Sequence, residues 1–280
     1  MRKRLDMLRA VEISNRKTLV FYLHGLRGHA YAQHSALKHI RKHVGARLIS
    51  LELPGHGAES SSKHCLVPKY ELLTEQIVAT IKAHSSDAEQ IILMGYSFGG
   101  ALMSLAAQSL ERDAHFSSKV VGLVGISTAL SVDHNVPRWQ IWMAGLIAPL
   151  SRSFYNRVEW ARELLTIRKM NIELISPDPL VRESIASDDL MYKGRIPLHT
   201  SAQVYYTSLS ALRAIDHLRC DVLLVHSKDD EIAAAPHAGL FTKKVRLSLF
   251  ETLRHNCIDG RTREAVAARR QISEFLQSKL

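Results

Sequence analysis

Gln90-Ile91-Ile92-Leu93-Met94-Gly95-Tyr96-Ser97-Phe98-Gly99-Gly100-Ala101-Leu102-Met103 decides how the rest of the chain is read. Ile91 to Met94 is a short, continuous apolar run, the pattern of a strand covered on both faces. Gly100 to Met103 opens an apolar, helix-favouring stretch. Between them, Gly95-Tyr96-Ser97-Phe98-Gly99 spells G-x-S-x-G. A serine at the tip of a tight strand-to-helix turn has a strained backbone, and glycines two residues to either side let neighbouring backbone pass without a Cβ clash. The turn lifts the hydroxyl above the strand ends. The free N–H groups and positive dipole end of the following helix face the same point. The motif alone is weak; the preceding strand and following helix are the context it demands.

Working outward, apolar β-branched runs alternate with helical patterns. Strands are expected at Thr18–Leu23, Ala46–Leu53, Gln90–Met94, Lys119–Ile126, Asp221–Val225 and Lys244–Phe250. Helices are expected at His34–His43, Tyr70–His84, Gly99–Glu111 and Thr262–Leu280, where apolar residues recur at three- and four-residue spacing. Such alternation implies an α/β fold, a mostly parallel sheet flanked by helices and joined by right-handed crossovers. The alternation breaks once, between Thr128 and His199, where no convincing strand is found. The expected organisation is a core of residues 1–128 and 200–280 with a helical cap of residues 129–199 inserted into it.

Bulk properties narrow the function classes. The 280 residues suit one large domain or a core with one insertion, and 46% apolar content is ordinary for a globular protein. Cys65, Cys220 and Cys257 are odd in number and widely spaced, which argues against a disulfide framework and for a reducing compartment. No Cys/His cluster has zinc-site spacing. The basic Met1–Arg9 stretch is not followed by an apolar segment of signal-peptide length, and no run is long enough to span a bilayer. A soluble, cytoplasmic protein is therefore expected. The net charge of +10 is spread along the chain, with short clusters at Lys38-Arg41-Lys42 and Arg261-Arg263-Arg269-Arg270. Without a zinc finger, RNP-like motif or basic arm, this reads as a solvated basic surface rather than a specific nucleic-acid site. A weak peripheral attraction to anionic membranes is compatible with it.

A nucleophilic serine needs a base and an acid. His255 is the candidate base among fifteen histidines, because it follows the last strand and precedes the C-terminal helix. Asp229 and Asp230 both lie just past the strand Asp221–Val225, and either can serve as the acid. Serine, aspartate, histidine is the chain order expected around such a turn.

With His24-Gly25 after the first long strand, Leu53-Pro54-Gly55-His56-Gly57 after the second and the serine turn after the third, the sequence resembles the α/β-hydrolase superfamily over nearly its whole length. Within it, the chain looks most like the monoacylglycerol lipase, lysophospholipase and carboxylesterase group. Ser187-Asp188-Asp189-Leu190-Met191-Tyr192-Lys193-Gly194 is similar to the Asp-Pro-Leu segment ending that group's cap, with Asp189 where proline is usual. The resemblance implies a cap inserted after the family's sixth-strand position. It also implies oxyanion donors at the backbone N–H groups of Leu26 and Phe98. It places the acid three residues beyond His226, at Asp229; His226 stands where glycine is common. His24 and His56 are expected to brace loops.

The implied function is that of a serine hydrolase cleaving a carboxylic ester of a lipid-like or medium-chain acyl substrate, with no cofactor and no metal. Trp139–Leu150 is apolar nearly all round and is expected to be a cap helix; Trp142, Met143 and Tyr155 are candidate substrate-pocket residues, with core packing as the other reading. Cys257, near His255, lacks an elbow and is not expected to be a nucleophile. Thioesterases, peptidases and C–C hydrolases share the serine and stay open, as does a non-catalytic binding protein on this fold. Oligomeric state is not legible.

Overall fold

The computed structural model describes residues 8–10, 17–59, 65–130, 166–167, 170–241 and 245–280. The expected residues Trp142, Met143 and Tyr155, and most of the 129–199 insertion, lie outside the described residues.

The strands of the main sheet are β1 (Leu8–Ala10), β2 (Thr18–Leu23), β3 (Arg47–Leu51), β4 (Gln90–Tyr96), β5 (Val120–Ile126), β8 (Asp221–Ser227) and β9 (Val245–Phe250). They lie in the order β1-β3-β2-β4-β5-β8-β9. All pairs are parallel except β1 with β3. The three-residue β1 had no sequence signal; it pairs Leu8 with Leu51 and Ala10 with Ile49 at one edge. A two-residue antiparallel ladder of β6 (Thr166–Ile167) with β7 (Ile196–Pro197) corrects the expectation that the inserted region holds no strand.

Every residue of β2 is buried. The two-residue period of a strand sends Leu19, Phe21 and Leu23 to one face and Val20 and Tyr22 to the other. On the first face pack α2 (Tyr70–His84), α3 (Phe98–Arg112) and α5 (Leu198–Asp216); on the second pack α1 (His34–Val44) and α6 (Arg263–Gln277). This two-sided cover is why the strands read as apolar runs rather than alternating ones. The short α4 (Pro179–Ser187) starts with proline at its first turn, and its cap residue Asp178 accepts the Leu180 N–H at 3.0 Å.

Because β2 lies between β3 and β4, the chain leaves β2 toward one edge and later crosses to its other side. In an open parallel sheet such a reversal leaves a crevice beyond the carboxyl ends of the central strands. The loops after β2 and β4 flank that crevice.

Candidate active site

The turn after β4 is the first wall of the site. Ser97 has φ 54° and ψ −120°, a conformation that non-glycine residues avoid. Its N–H donates to Ile126 O at 2.9 Å and its carbonyl accepts the Ala129 N–H at 3.1 Å, so β5 and the loop after it hold the strained residue. A Cβ on Gly95 would lie 2.5 Å from the Gly99 carbonyl oxygen, and one on Gly99 would strike the His24 carbonyl. The spacing of the motif is therefore a packing requirement of this turn.

Ser97 Oγ lies 2.9 Å from His255 Nε2, and His255 Nδ1 lies 2.8 Å from Asp230 Oδ2. The histidine is on the loop between β9 and α6, where its N–H donates to Leu174 O at 3.4 Å. The Tyr96 ring, from the motif's first variable position, stands 5.1 Å from the imidazole. The family pattern gave no chemical role to that position, so the packing partner was not legible.

The aspartate facing His255 is Asp230, which corrects the placement of the acid at Asp229. The strand β8 runs through His226 and Ser227, which pair with Leu249 and Phe250, so it ends two residues later than the expected Val225. The turn is delayed accordingly. Asp229 then sits at the exposed side of the turn, where its Oδ1 accepts from Ser227 Oγ at 2.5 Å and from the Arg254 N–H at 2.8 Å. It ties the β8 turn to the loop carrying His255. Asp230 turns inward, and its other oxygen accepts the N–H groups of Ile232 at 2.8 Å and Ala233 at 2.9 Å. Burial pushes the Asp230 carboxyl up, but the adjacent His255 and those two N–H donors outweigh it and hold the group below the usual aspartate range.

The loop after β2 supplies the opposite wall. Leu26 and Phe98 line one cavity of about 970 Å³ together with Ser97 and His255. Phe98 is the first residue of α3, so its N–H has no acceptor within the helix. His24 is fully buried: its Nδ1 lies 2.8 Å from Gly25 O, and its Nε2 lies 3.1 Å from the Leu53 N–H and 2.5 Å from Glu52 Oε1. It braces the loop from beneath and is not among the residues lining the cavity beside Ser97. His56 is likewise buried, its Nδ1 3.0 Å from Pro54 O, and burial holds its pKa down at about 3.

His226 is also fully buried, and among the described residues neither ring nitrogen has a hydrogen-bond partner. Burial lowers its pKa to about 4. Cys257 lies 3.0 Å from Ser127 Oγ, and burial raises its thiol to about 12, the opposite of an activated nucleophile. All three cysteines are free and buried. Among the described residues no cluster of His, Cys, Asp or Glu could hold a metal ion, and no helix is long and apolar enough to cross a membrane.

A family model described as serine aminopeptidase, S33, matches residues 14–259. The chain belongs to this family of α/β-hydrolases. No curated protein matches the sequence. Solved structures share the fold. The monoacylglycerol lipase of Paleococcus ferrophilus is 19% identical, with a TM-score of 0.77 over 98% of this chain and 99% of that one. A soluble variant of the Saccharomyces cerevisiae monoglyceride lipase, in complex with a substrate analogue, is 13% identical, with a TM-score of 0.74 over 98% and 96%. MenH from S. aureus, at 16% identity and a TM-score of 0.62, covers 98% of this chain and 99% of its own. As an S33 hydrolase the chain thus shares its architecture with lipases and with differently named relatives.

Proposed function

We propose that this S33 hydrolase is a serine esterase that cleaves a lipid-like or medium-chain carboxylic ester through an acyl-enzyme on Ser97. The observation that carries the reading is the continuous chain of contacts from Ser97 Oγ through His255 to Asp230, opening into one cavity with Leu26 and Phe98. In this reading Ser97 attacks the acyl carbonyl while its proton passes to His255 Nε2. Asp230 keeps the other ring proton on Nδ1 and stabilises the imidazolium, without taking the proton itself. The N–H groups of Leu26 and Phe98 hold the oxyanion. His255 then protonates the departing alcohol, and water activated by the same imidazole releases the acid.

One part of the cavity wall suits an apolar acyl group, while Arg27, Asp178, Asp188, Glu231, Asp259 and Arg261 make the remainder polar. Leu26, Val181, Ile185, Met191, Ile196 and Val204 line the apolar part. Their side chains suit an alkyl chain. The basic surface fits the same substrate class: α1 exposes Lys38, His39, Lys42 and His43 and carries no acidic residue, which favours weak attraction to anionic lipid surfaces.

The test is hydrolysis of p-nitrophenyl esters from acetyl to palmitoyl by wild type and Ser97→Ala, with fluorophosphonate labelling alongside. Activity strongest at short to medium chains, labelling of the wild type and near-complete loss of both in the variant are expected. Equal activity in Ser97→Ala would sink the mechanism. A second reading is favoured by the family description and by Glu231, an exposed carboxylate on the cavity lining: cleavage of a peptide bond next to a free amino group. Turnover of aminoacyl p-nitroanilides exceeding that of every ester would establish it instead.

A further inference from the structure

On the serine-hydrolase reading above, we infer that Arg27 is a positioning residue: it clasps the loop bearing Leu26 to the segment Asp188–Arg195 and so sets the Leu26 N–H as an oxyanion donor. Leu26 lies inside a tight turn closed by the Gly28 N–H donating to Gly25 O at 3.1 Å. Arg27 has φ 70°, a left-handed conformation that costs a non-glycine residue on the order of 1–3 kcal/mol and persists only where the surroundings over-determine it.

The surroundings here include Cys65, which meets the Arg27 backbone, and, with more contacts, a segment more than 150 residues away. The Arg27 carbonyl accepts the Tyr192 N–H at 2.9 Å. Its Nη1 donates to Gly194 O and, at 3.4 Å, to Tyr192 O. The guanidinium also stands 5.8 Å from the centroid of the Tyr192 ring, and the Tyr192 hydroxyl donates to Arg195 O at 2.8 Å. Arg27 is only 8% exposed. A guanidinium is costly to bury unless its donors are placed, so these contacts are structural requirements and not surface accidents.

Two residues on, His29 repeats the link. Its Nδ1 accepts the Tyr31 N–H at 3.2 Å, which leaves the proton on Nε2, 2.8 Å from Asp188 Oδ2. Both ends of Asp188–Arg195 are therefore stitched to the oxyanion loop. Asp188 and Met191 also line the catalytic cavity, so the clasped segment forms part of its wall. The Ser187–Gly194 motif, to which the sequence assigned no chemistry, has this role.

The experiment compares Arg27→Met and Arg27→Lys with wild type in kcat and KM on a p-nitrophenyl ester, affinity for a trifluoromethyl ketone, and amide exchange across Gly25–Gly28. Arg27→Met should lower kcat by about 10- to 100-fold, less than removal of an oxyanion donor outright, while KM stays within about threefold. Ketone affinity should fall in parallel, the loop amides should exchange faster, and Arg27→Lys should recover part of each. If Arg27→Met does not fold, Asp188→Asn weakens the second link, because its single acceptor oxygen cannot serve both His29 and the Leu190 N–H, and should show the same signature, with kcat down about three- to tenfold. A folded variant with wild-type kcat and ketone affinity would overturn the inference, as would a loss of kcat without loss of ketone affinity. A wild type that fluorophosphonate does not label defeats the hydrolase reading; amide exchange still decides the clasp, faster exchange supporting it and unchanged exchange overturning it.

Discussion

The turn that carries Ser97 and the side that faces it with His255 and Asp230 are built in opposite ways. The turn around Ser97 is one contiguous stretch whose shape follows from its own glycines and from the strand before and helix after it. The facing side is assembled from two loops, one after β8 and one after β9, joined by Ser227, Asp229 and Arg254 in addition to the contact between Asp230 and His255. A locally determined site can be read from a motif. A site determined by the register between two strands cannot, and there a shift of one residue exchanges the carboxylate that faces His255 for one that braces the turn.

This contrast can be broken at either end. His255→Ala, at the assembled side, should reduce kcat by about 10⁵-fold with the fold intact if, as proposed, Ser97, His255 and Asp230 act as a unit; circular dichroism and steady-state kinetics on the same sample check this. Acid should act on buried imidazoles and spare the elbow, which holds none. Burial keeps His56 near a pKa of about 3 and His226 near about 4 in the folded protein. Unfolded histidine titrates at about 6.5, so between that pH and about 4 the unfolded chain binds two protons that the folded one does not. Stability is present above this window and falls through it as pH drops, by about 2.7 kcal/mol per pH unit. Urea titrations at pH 7, 6 and 5 measure the slope, and His226→Asn should halve it.

At the locally built side, Gly95→Ala places a Cβ 2.5 Å from backbone and should cost about 3 kcal/mol or more, read as a lowered urea midpoint. The smallest effect is expected at Cys257. Its raised thiol pKa and burial predict that iodoacetamide leaves activity within about twofold of the untreated protein and that Cys257→Ser changes kcat no more than that.

The legibility of the fold follows the same division. The strands Thr18–Leu23 and Val120–Ile126 and the helix Tyr70–His84 were readable because their burial is two-sided or strictly periodic. The strand β1 was not, since three residues at a sheet edge depend on Ile49 to Leu51 for their pairing rather than on their own pattern. The sequence offers Asp229 and Asp230 side by side, and the resemblance favours Asp229 by a spacing that takes His226 as the last residue of the strand. Pairing of His226 and Ser227 with Leu249 and Phe250 extends β8 and moves the inward position on by one. The stitches from Arg27 and His29 to Asp188–Arg195 had no local signal, because each joins residues more than 150 positions apart.

The most direct test of the account is kcat for Asp230→Asn and Asp229→Asn measured side by side on the best ester. Asp230→Asn should lower kcat by about 10³- to 10⁴-fold with little change in KM, since an amide cannot hold the same imidazole tautomer. Asp229→Asn should stay within about tenfold of wild type and lose stability, as a brace would. The reverse ranking, with Asp229→Asn inactive and Asp230→Asn nearly wild type, would contradict it.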